Sequence, residues 1–330
     1  MSNIFVRPYD EPHKPHKRFV RTGLIVLTAT AVVIGLCLWM DARSAKAPEV
    51  KPAVQPVKAS VPDPAPIVPA APVAAPVAAP VAAPAVATPD SRAQQLFTRA
   101  QSATTAGNLE QARDLLGEVI ATATEESLKN NAMRVQGRIN VQLFLSTAAT
   151  PQKKTYVIQP GDSLDKIARV NKTTVDLIRK MNSIKNDVIY PGGRLLMPAA
   201  PFVVQVDKSA KTVDLTMNGK LFKRYIVGLG VNGKTPVGKF QTVVHQINPD
   251  WTPPGGGIIK FGDPKNLLGT RWMSIQDMTR PEIKGFGIHG TSARDSIGAE
   301  TSNGCIRMLN EDVEELYLLI PRGTEVIISE

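Results

Sequence analysis

Cysteine is scarce in these 330 residues: Cys37 and Cys305 are the two present, beside four histidines. Cys37 sits inside an apolar run near the start, so no disulfide can join two folded parts of one chain. No group of His, Cys and Asp has the spacing of metal ligands, and neither a metal nor a cofactor is expected. Charge is missing from one stretch altogether, Thr22 to Met40 ("TGLIVLTATAVVIGLCLWM"), bracketed by Arg21 and Asp41. At about 1.5 Å per residue this run comes close to the roughly 30 Å of a hydrocarbon core. Ahead of it Arg7, Lys14, Lys17, Arg18 and Arg21 outweigh Asp10 and Glu11. The positive-inside bias therefore predicts a cytoplasmic basic tail (1–21), a single transmembrane signal anchor (22–40) and a folded mass outside the cytoplasm. A cleaved signal peptide would need a shorter apolar region, and cutting at "SAKAP" would leave Pro48 just beyond the scissile bond.

The net charge of +10 is not gathered as in a nucleic-acid binder, and an exported chain makes nucleic acid an unexpected partner. Residues 152–198 carry nine Lys/Arg against four Asp, a local surplus of +5. That surplus suits an anionic polymer or membrane surface, and equally an ordinary solvated face.

Residues 41–90 form a Pro/Ala-rich linker, with twelve prolines in 47–90 and a four-residue repeat in "APVAAPVAAPVAAP". Such composition favours polyproline II and makes a spacer. Residues 91–150 predict helices instead. Leu96, Phe97, Ala100 and Ala103, then Leu109, Ala112, Leu115, Leu116 and Val119, recur at helical spacing, with Gly107-Asn108 as the turn and a third helix over about 125–145. The pattern fits a tetratricopeptide-like hairpin with an added helix, open to a protein partner, or a plain helical spacer.

Residues 156–198 ("YVIQPGDSLDKIARVNKTTVDLIRKMNSIKNDVIYPGGRLLMP") predict a strand, two helices and a strand. Asp162 or Ser163 can cap the first helix, whose inward face is Leu164, Ile167 and Ala168; the second starts near Thr173-Thr174. This segment resembles a LysM domain from end to end, with 154–199 as its span. The resemblance implies a small α+β (βααβ) module that binds peptidoglycan or related glycans in a shallow groove. Gly161, Asp162, Ser163, Ile189 and Tyr190 are its implied contacts; turn chemistry alone is the other reading of those residues.

The remaining 201–330 is rich in strands. "FVVQVD" and "TVDLTMNGKLFKRYIVGLG" alternate, and Asn218-Gly219 is a strong hairpin signal. Further strands are predicted at 237–244, 270–275, 285–289, 304–308 and 324–329, with one short helix, "NEDVEELYLLI", capped by Asn310. The expected architecture is a mainly antiparallel β sandwich or partial barrel.

Chemistry concentrates in "HGTSARDSIGAETSNGC", residues 289–305. Gly304 before Cys305 permits an unusual dihedral angle or a close backbone approach, and a turn there can aim N–H groups at one point. A thiol needs a base to react near neutral pH, and His245 and His289 are the histidines beyond the apolar run. A Cys305–His289 pair and a buried thiol beside a core histidine both fit these residues.

"HGT" followed sixteen residues later by the cysteine of "SNGCIRM" resembles the signature of the L,D-transpeptidase (YkuD-type) catalytic domain. "TPVGKF" (235–240), "NPDWTPP" (248–254), "LGTRWM" (268–273) and the closing "PRGTEVII" extend the likeness. The resemblance implies Cys305 as nucleophile and His289 as its base. Ser302, Asn303 and Gly304 shape the catalytic turn, the Gly304 and Cys305 amides face an oxyanion, and the Gly290 carbonyl orients the imidazole. Arg307 is a candidate for gripping a substrate carboxylate or for a structural salt bridge. Asn303 departs from the histidine many members have there, so no second-histidine role is expected.

The implied protein sits in a bacterial cytoplasmic membrane and forms 3→3 cross-links in peptidoglycan, acting on tetrapeptide stems outside the cytoplasm. An L,D-carboxypeptidase, an enzyme attaching an envelope protein to the wall, and a non-catalytic wall-binding tether are the alternatives.

Overall fold

Three helices open the computed structural model, which describes residues 89–330. The basic tail, the apolar run 22–40 and the linker through residue 88 lie outside the described residues. Among the described residues no helix is long and apolar enough to cross a membrane.

Helices α1 (Pro89–Thr105) and α2 (Leu109–Thr122) bury Leu96, Phe97, Ala100 and Ala103 against Ala112, Leu115, Leu116 and Val119. Gly107, at φ 81°, makes the turn between them. Helix α3 (Glu126–Leu145) is apolar on two sides. Leu128, Ala132, Ile139 and Leu143 complete the helical core, whereas Val141 and Phe144 belong to the core of the β domain.

In the β domain, β3 (Phe202–Asp207), β4 (Thr212–Met217) and β5 (Lys220–Ile226) form a meander. Asn218 (φ 51°) and Gly219 (φ 71°) both take positive φ, as a two-residue type I′ hairpin requires. There follow β6 (Leu229–Gly230), β7 (Gly238–Ile247), β8 (Arg271–Asp277), β9 (Phe286–Thr291), β10 (Glu300–Ser302), β11 (Ile306–Leu309), α6 (Asn310–Leu319) and β12 (Glu325–Ser329). Eight strands make one sheet in the order β11-β9-β8-β7-β12-β3-β4-β5, and β6 pairs with β10 beside it.

Gly228, just past β5, exchanges two 2.8 Å backbone hydrogen bonds with Arg307 of β11, so the two edges nearly close on each other. This fits the expected partial barrel, although the sheet is mixed: β11 lies parallel to β9, and β12 parallel to β3. Crossovers through α6 and the 292–305 segment impose those directions, and strand periodicity alone carries no information about them. Val313, Leu316 and Leu319 of α6 pack into the core with Met273, Ile288, Ile306 and Met308.

Two local expectations are corrected. The helix near 310 starts at Asn310 with Leu309 as its N-cap; the Asn310 carboxamide oxygen accepts from the Thr270 N–H at 3.1 Å instead of capping. The strand expected at 304–308 runs from Ile306 to Leu309, because Gly304 at φ 122° belongs to a turn.

Between α3 and the β domain, β1 (Lys153–Val157) and β2 (Arg194–Pro198) pair antiparallel around α4 (Leu164–Val170) and α5 (Val175–Met181). Ser163 is the α4 cap, accepting from Lys166 N–H at 3.2 Å, and Thr174 caps α5, accepting from Leu177 N–H at 3.0 Å. The small core holds Leu164, Ile167, Ala168, Ile178, Leu195 and Met197.

This module is welded to both neighbours. The Lys153 ammonium donates to the Leu143, Ser146 and Ala148 carbonyls (2.8, 2.6 and 2.8 Å), closing the end of α3. Thr174 Oγ1 donates to the Leu318 carbonyl at 2.8 Å, while Leu177 and Met181 enter the β-domain core.

Candidate active site

Strands β8, β9 and β11 place Trp272, His289 and Arg307 side by side in register. Strand alternation puts these residues on one face and Met273, Ile288 and Ile306 on the other, against α6. Cys305, two residues before Arg307, packs with Trp272, Leu268 and Trp251 on the first face. The thiol residue and His289 are both buried (5% and 3% exposed), under the 248–270 segment that carries Trp251 and Leu268. That segment is laced to itself: Trp251 and Ile259 exchange 2.8 Å backbone bonds, and Asn266 Nδ2 donates to the Pro249 and Ile259 carbonyls.

The turn that delivers Cys305 is closely packed. Ser302 Oγ accepts from the Gly304 N–H at 3.1 Å and donates to the Cys305 carbonyl at 2.7 Å. The Gly304 N–H, expected to face an oxyanion, is thus directed at Ser302. A side chain on Gly304 would meet Phe286 Cε1 at 2.5 Å and the Lys234 carbonyl at 2.9 Å, besides straining φ. Asn303 is exposed at the tip. From below, Gly230 of β6 abuts Gly304, and its N–H is bound by the buried Thr235 Oγ1 at 2.9 Å.

His289 Nδ1 lies 2.7 Å from the Gly290 carbonyl. A carbonyl can only accept, so Nδ1 carries the proton and Nε2 is left with the lone pair. Burial lowers the imidazole pKa to about 4, against the support of the Gly290 and Leu268 carbonyls. Burial also raises the Cys305 thiol to about 11, opposed by the Gly287 N–H and the Arg307 charge. The Gly285 carbonyl stands 3.9 Å from Sγ. At neutral pH the site therefore rests as a neutral thiol and a neutral imidazole whose tautomer is preset for accepting a proton at Nε2.

His245 lies elsewhere. It pairs with Met273, lies against Tyr317 with ring centroids 5.2 Å apart and the planes tilted by 46°, and its pKa is lowered to about 4 by burial and Arg322.

In the βααβ module Gly161 turns at φ 81°. The Asp162 carboxylate is 3% exposed and accepts from the Gln159 N–H at 2.9 Å and the Tyr156 hydroxyl at 2.7 Å; these hold its pKa below the ordinary range. Ser163 caps α4 from an exposed position and Ile189 packs on the module's core, while Tyr190, 73% exposed, is the large side chain of the set that stands in solvent. Sequence reasoning had not singled out Trp251, Leu268, Trp272, Gly230 or Thr235. Four of them lie within the blocks "NPDWTPP", "LGTRWM" and "TPVGKF", and the site explains why those blocks accompany the Cys/His pair. Among the described residues no cluster of three or more His, Cys, Asp or Glu could hold a metal ion.

A buried thiol and imidazole on one sheet face, beside a glycan-binding type of module, define an L,D-transpeptidase architecture, and comparison with known proteins agrees. Residues 201–328 match the L,D-transpeptidase catalytic domain YkuD, and residues 156–198 match the LysM domain. The chain is 31% identical over 182 residues to the putative L,D-transpeptidase YkuD of Bacillus subtilis, covering 53% of this chain and 98% of that protein. It is 36% identical over 143 residues to the putative L,D-transpeptidase YqjB of the same species, covering 43% and 78%. Among solved structures, an L,D-transpeptidase from Mycobacterium smegmatis aligns at 16% identity with a TM-score of 0.33, over 42% of this chain and 64% of that one, under two thirds of its length. This chain belongs to the YkuD L,D-transpeptidase family.

Proposed function

We propose that the protein is a membrane-anchored peptidoglycan L,D-transpeptidase that forms 3→3 cross-links through a Cys305 acyl-enzyme, with its LysM domain holding the glycan. The observation that carries this reading is the preset His289 tautomer on the same buried face as the only thiol of the described residues. His289 Nε2 takes the Cys305 proton as Sγ attacks the carbonyl of the third stem residue. The Gly290 and Leu268 carbonyls favour the imidazolium that results. Collapse of the tetrahedral intermediate breaks the C–N bond; the terminal D-alanine leaves with the proton from His289, and a thioester remains. An amine from a neighbouring stem then loses its proton to His289 and takes the acyl group, regenerating the thiol. Trp251, Leu268 and Trp272 limit water around the thioester, which favours the amine over hydrolysis.

The proposed location follows from the apolar run at 22–40: a single-pass anchor in the cytoplasmic membrane, a Pro/Ala spacer, and LysM and catalytic domains facing the wall. Peptidoglycan is the partner, through glycan strands at LysM and stems at the catalytic face. Incubating the full chain in detergent with disaccharide tetrapeptide tests the reaction. Cross-linked dimer and an intact-mass shift on Cys305 are expected. Release of D-alanine without dimer would make it a carboxypeptidase, transfer to an added protein amine would make it an attachment enzyme, and no adduct or product would leave a wall-binding tether.

A further inference from the structure

Gly290 meets two elements at once. Its carbonyl receives the His289 Nδ1–H at 2.7 Å, and the side of its Cα where a Cβ would stand faces the first turn of α6. The Asn310 carboxamide fills that space. A methyl group on Gly290 would meet the carboxamide oxygen and stand 3.1 Å from Val313 Cγ1. One on Gly269 (φ 61°) would meet the same oxygen and stand 2.5 Å from the Gly290 carbonyl carbon. Asn310 Oδ1 thus sits where β9 touches the end of the 248–270 segment, and two glycines admit it. It does not cap α6; it accepts from the Thr270 N–H at 3.1 Å. The Thr270 carbonyl in turn accepts from the Asn248 N–H at 2.9 Å and from Arg271 Nη1 at 2.7 Å, so Thr270 ties both ends of the segment. Two residues before it is Leu268, whose carbonyl is the second acceptor beside the imidazole and whose side chain packs with Cys305.

Building on the transpeptidase reading above, we infer that Asn310 is a positioning residue for the reaction: its carboxamide oxygen locks Gly269-Thr270 against Gly290, so that the Leu268 and Gly290 carbonyls hold one orientation and one tautomer of the His289 imidazole. A general base works only while its lone pair is aimed at the proton it takes, and a displacement of about 1 Å can cost on the order of a hundredfold in rate. Without an oxygen at position 310 the Thr270 N–H loses its partner, and residues 268–270 can slide from Gly290. The Leu268 carbonyl then leaves the ring, and the imidazole is free to turn or to carry its proton on Nε2. A ring protonated at Nε2 cannot take the Cys305 proton there. A carboxylate offers an acceptor in the same place, so aspartate keeps the lock and alanine removes it.

The test uses the full chain in detergent with isotope-labelled histidine rings, the His289 signals being those missing from His289→Gln. Nitrogen NMR at neutral pH should show wild-type His289 protonated at Nδ1, and Asn310→Ala should add the Nε2–H tautomer. With disaccharide tetrapeptide, the same variant should lower kcat for D-alanine release by about tenfold to a hundredfold and leave KM within about twofold, the pattern of a misplaced base and not of lost substrate binding. Asn310→Asp should keep the wild-type tautomer and most of kcat. Asn310→Ser suits the first turn of α6 but is too short to reach Thr270; it should repeat the alanine result, and it stands in for alanine if that variant does not fold. A wild-type tautomer in both Asn310→Ala and Asn310→Ser, or as large a loss of kcat in Asn310→Asp as in Asn310→Ala, overturns the assignment. The tautomer is read without substrate. A wild type that turns over nothing would therefore sink the transpeptidase reading, while the spectra still decide the role of Asn310.

Discussion

Gly230 and Gly304 pack back to back: a methyl group on Gly230 would stand 2.7 Å from Gly304 Cα and 2.9 Å from its nitrogen. Backbone atoms cannot give way as a flexible side chain does, so the turn carrying Cys305 has to move. Gly230→Ala is expected to cost about 1–3 kcal/mol, as overpacking does. Carbapenem acylation of Cys305, followed by intact mass, should slow at least tenfold with a modest fall in Tm. An unchanged acylation rate would show that β6 does not set the position of the thiol.

Removing the reacting groups separates their roles. Cys305→Ala should abolish acylation and turnover while leaving binding to glycan strands intact. His289→Gln should lower kcat by about a hundredfold to ten-thousandfold, the usual range for a lost general base. Both are read from D-alanine release on the tetrapeptide. Turnover by Cys305→Ala, or full activity of His289→Gln, would assign the chemistry to other groups.

The neutral thiol–imidazole pair has a distinct pH signature. With the thiol raised to about 11, iodoacetamide alkylation of Cys305 should climb about tenfold per pH unit from 7 to 10. A plateau between pH 6 and 8 would reveal a preformed thiolate–imidazolium pair. Stability follows the same shifts. His289 and His245 fall to about 4 when folded, so between roughly pH 6.5 and 4 the unfolded chain binds more protons. Stability therefore falls as pH drops through that window, by up to about 1.4 kcal/mol per pH unit for each histidine. Above about pH 9 the order reverses for Cys305, whose thiol is protonated in the folded state and ionised in the unfolded one, so stability falls as pH rises. Denaturant melts of His245→Gln and His289→Gln should each show a shallower acid slope than the wild type.

How far the chain could be read depended on range. Asn218-Gly219 and a polar cap at Asp162 or Ser163 were legible because each is a contact over a few residues, imposed by local dihedral preference, whereas the strand pattern ran through Gly304, which the structure gives to a turn. The three helices were legible from spacing for the same reason. Parallel pairing of β9 with β11 was not, since it is set by how a crossover packs. Nor was the fate of Asn310, whose carboxamide is taken by Thr270 forty residues away in sequence. Asp162 shows the mixed case: it sits where the LysM resemblance places a glycan contact, yet the Tyr156 hydroxyl and Gln159 N–H occupy its carboxylate. At the active site the Cys305/His289 spacing was visible, whereas the walls supplied by Trp251, Leu268 and Trp272 needed the fold of the 248–270 segment.

Phe144 joins the helical segment to the catalytic sheet. Its ring makes edge contacts with Phe202 and Phe222, with centroids at 5.5 and 5.2 Å, and those two rings are 5.0 Å apart. Beside them Asn140 Nδ2 donates to the Phe222 carbonyl at 2.8 Å, and Gly137 lets α3 approach within van der Waals reach of Lys223. A side chain at Gly137 would stand 2.9 Å from Lys223 Cγ and 3.2 Å from Lys223 Cα, so a larger residue there requires Lys223 to shift by a few tenths of an ångström. The segment therefore does more than space the domains: α3 covers β5, and its end is closed by Lys153 of the LysM strand. Calorimetry on the wild type should give one cooperative transition for helices, LysM and catalytic domain together. Phe144→Ala is expected to lower stability by about 3–5 kcal/mol, and to speed amide exchange in α3 and β5 alike. Separate melting of the helices in the wild type, or exchange confined to α3 in the variant, would mean that the segment rides on the enzyme without supporting it.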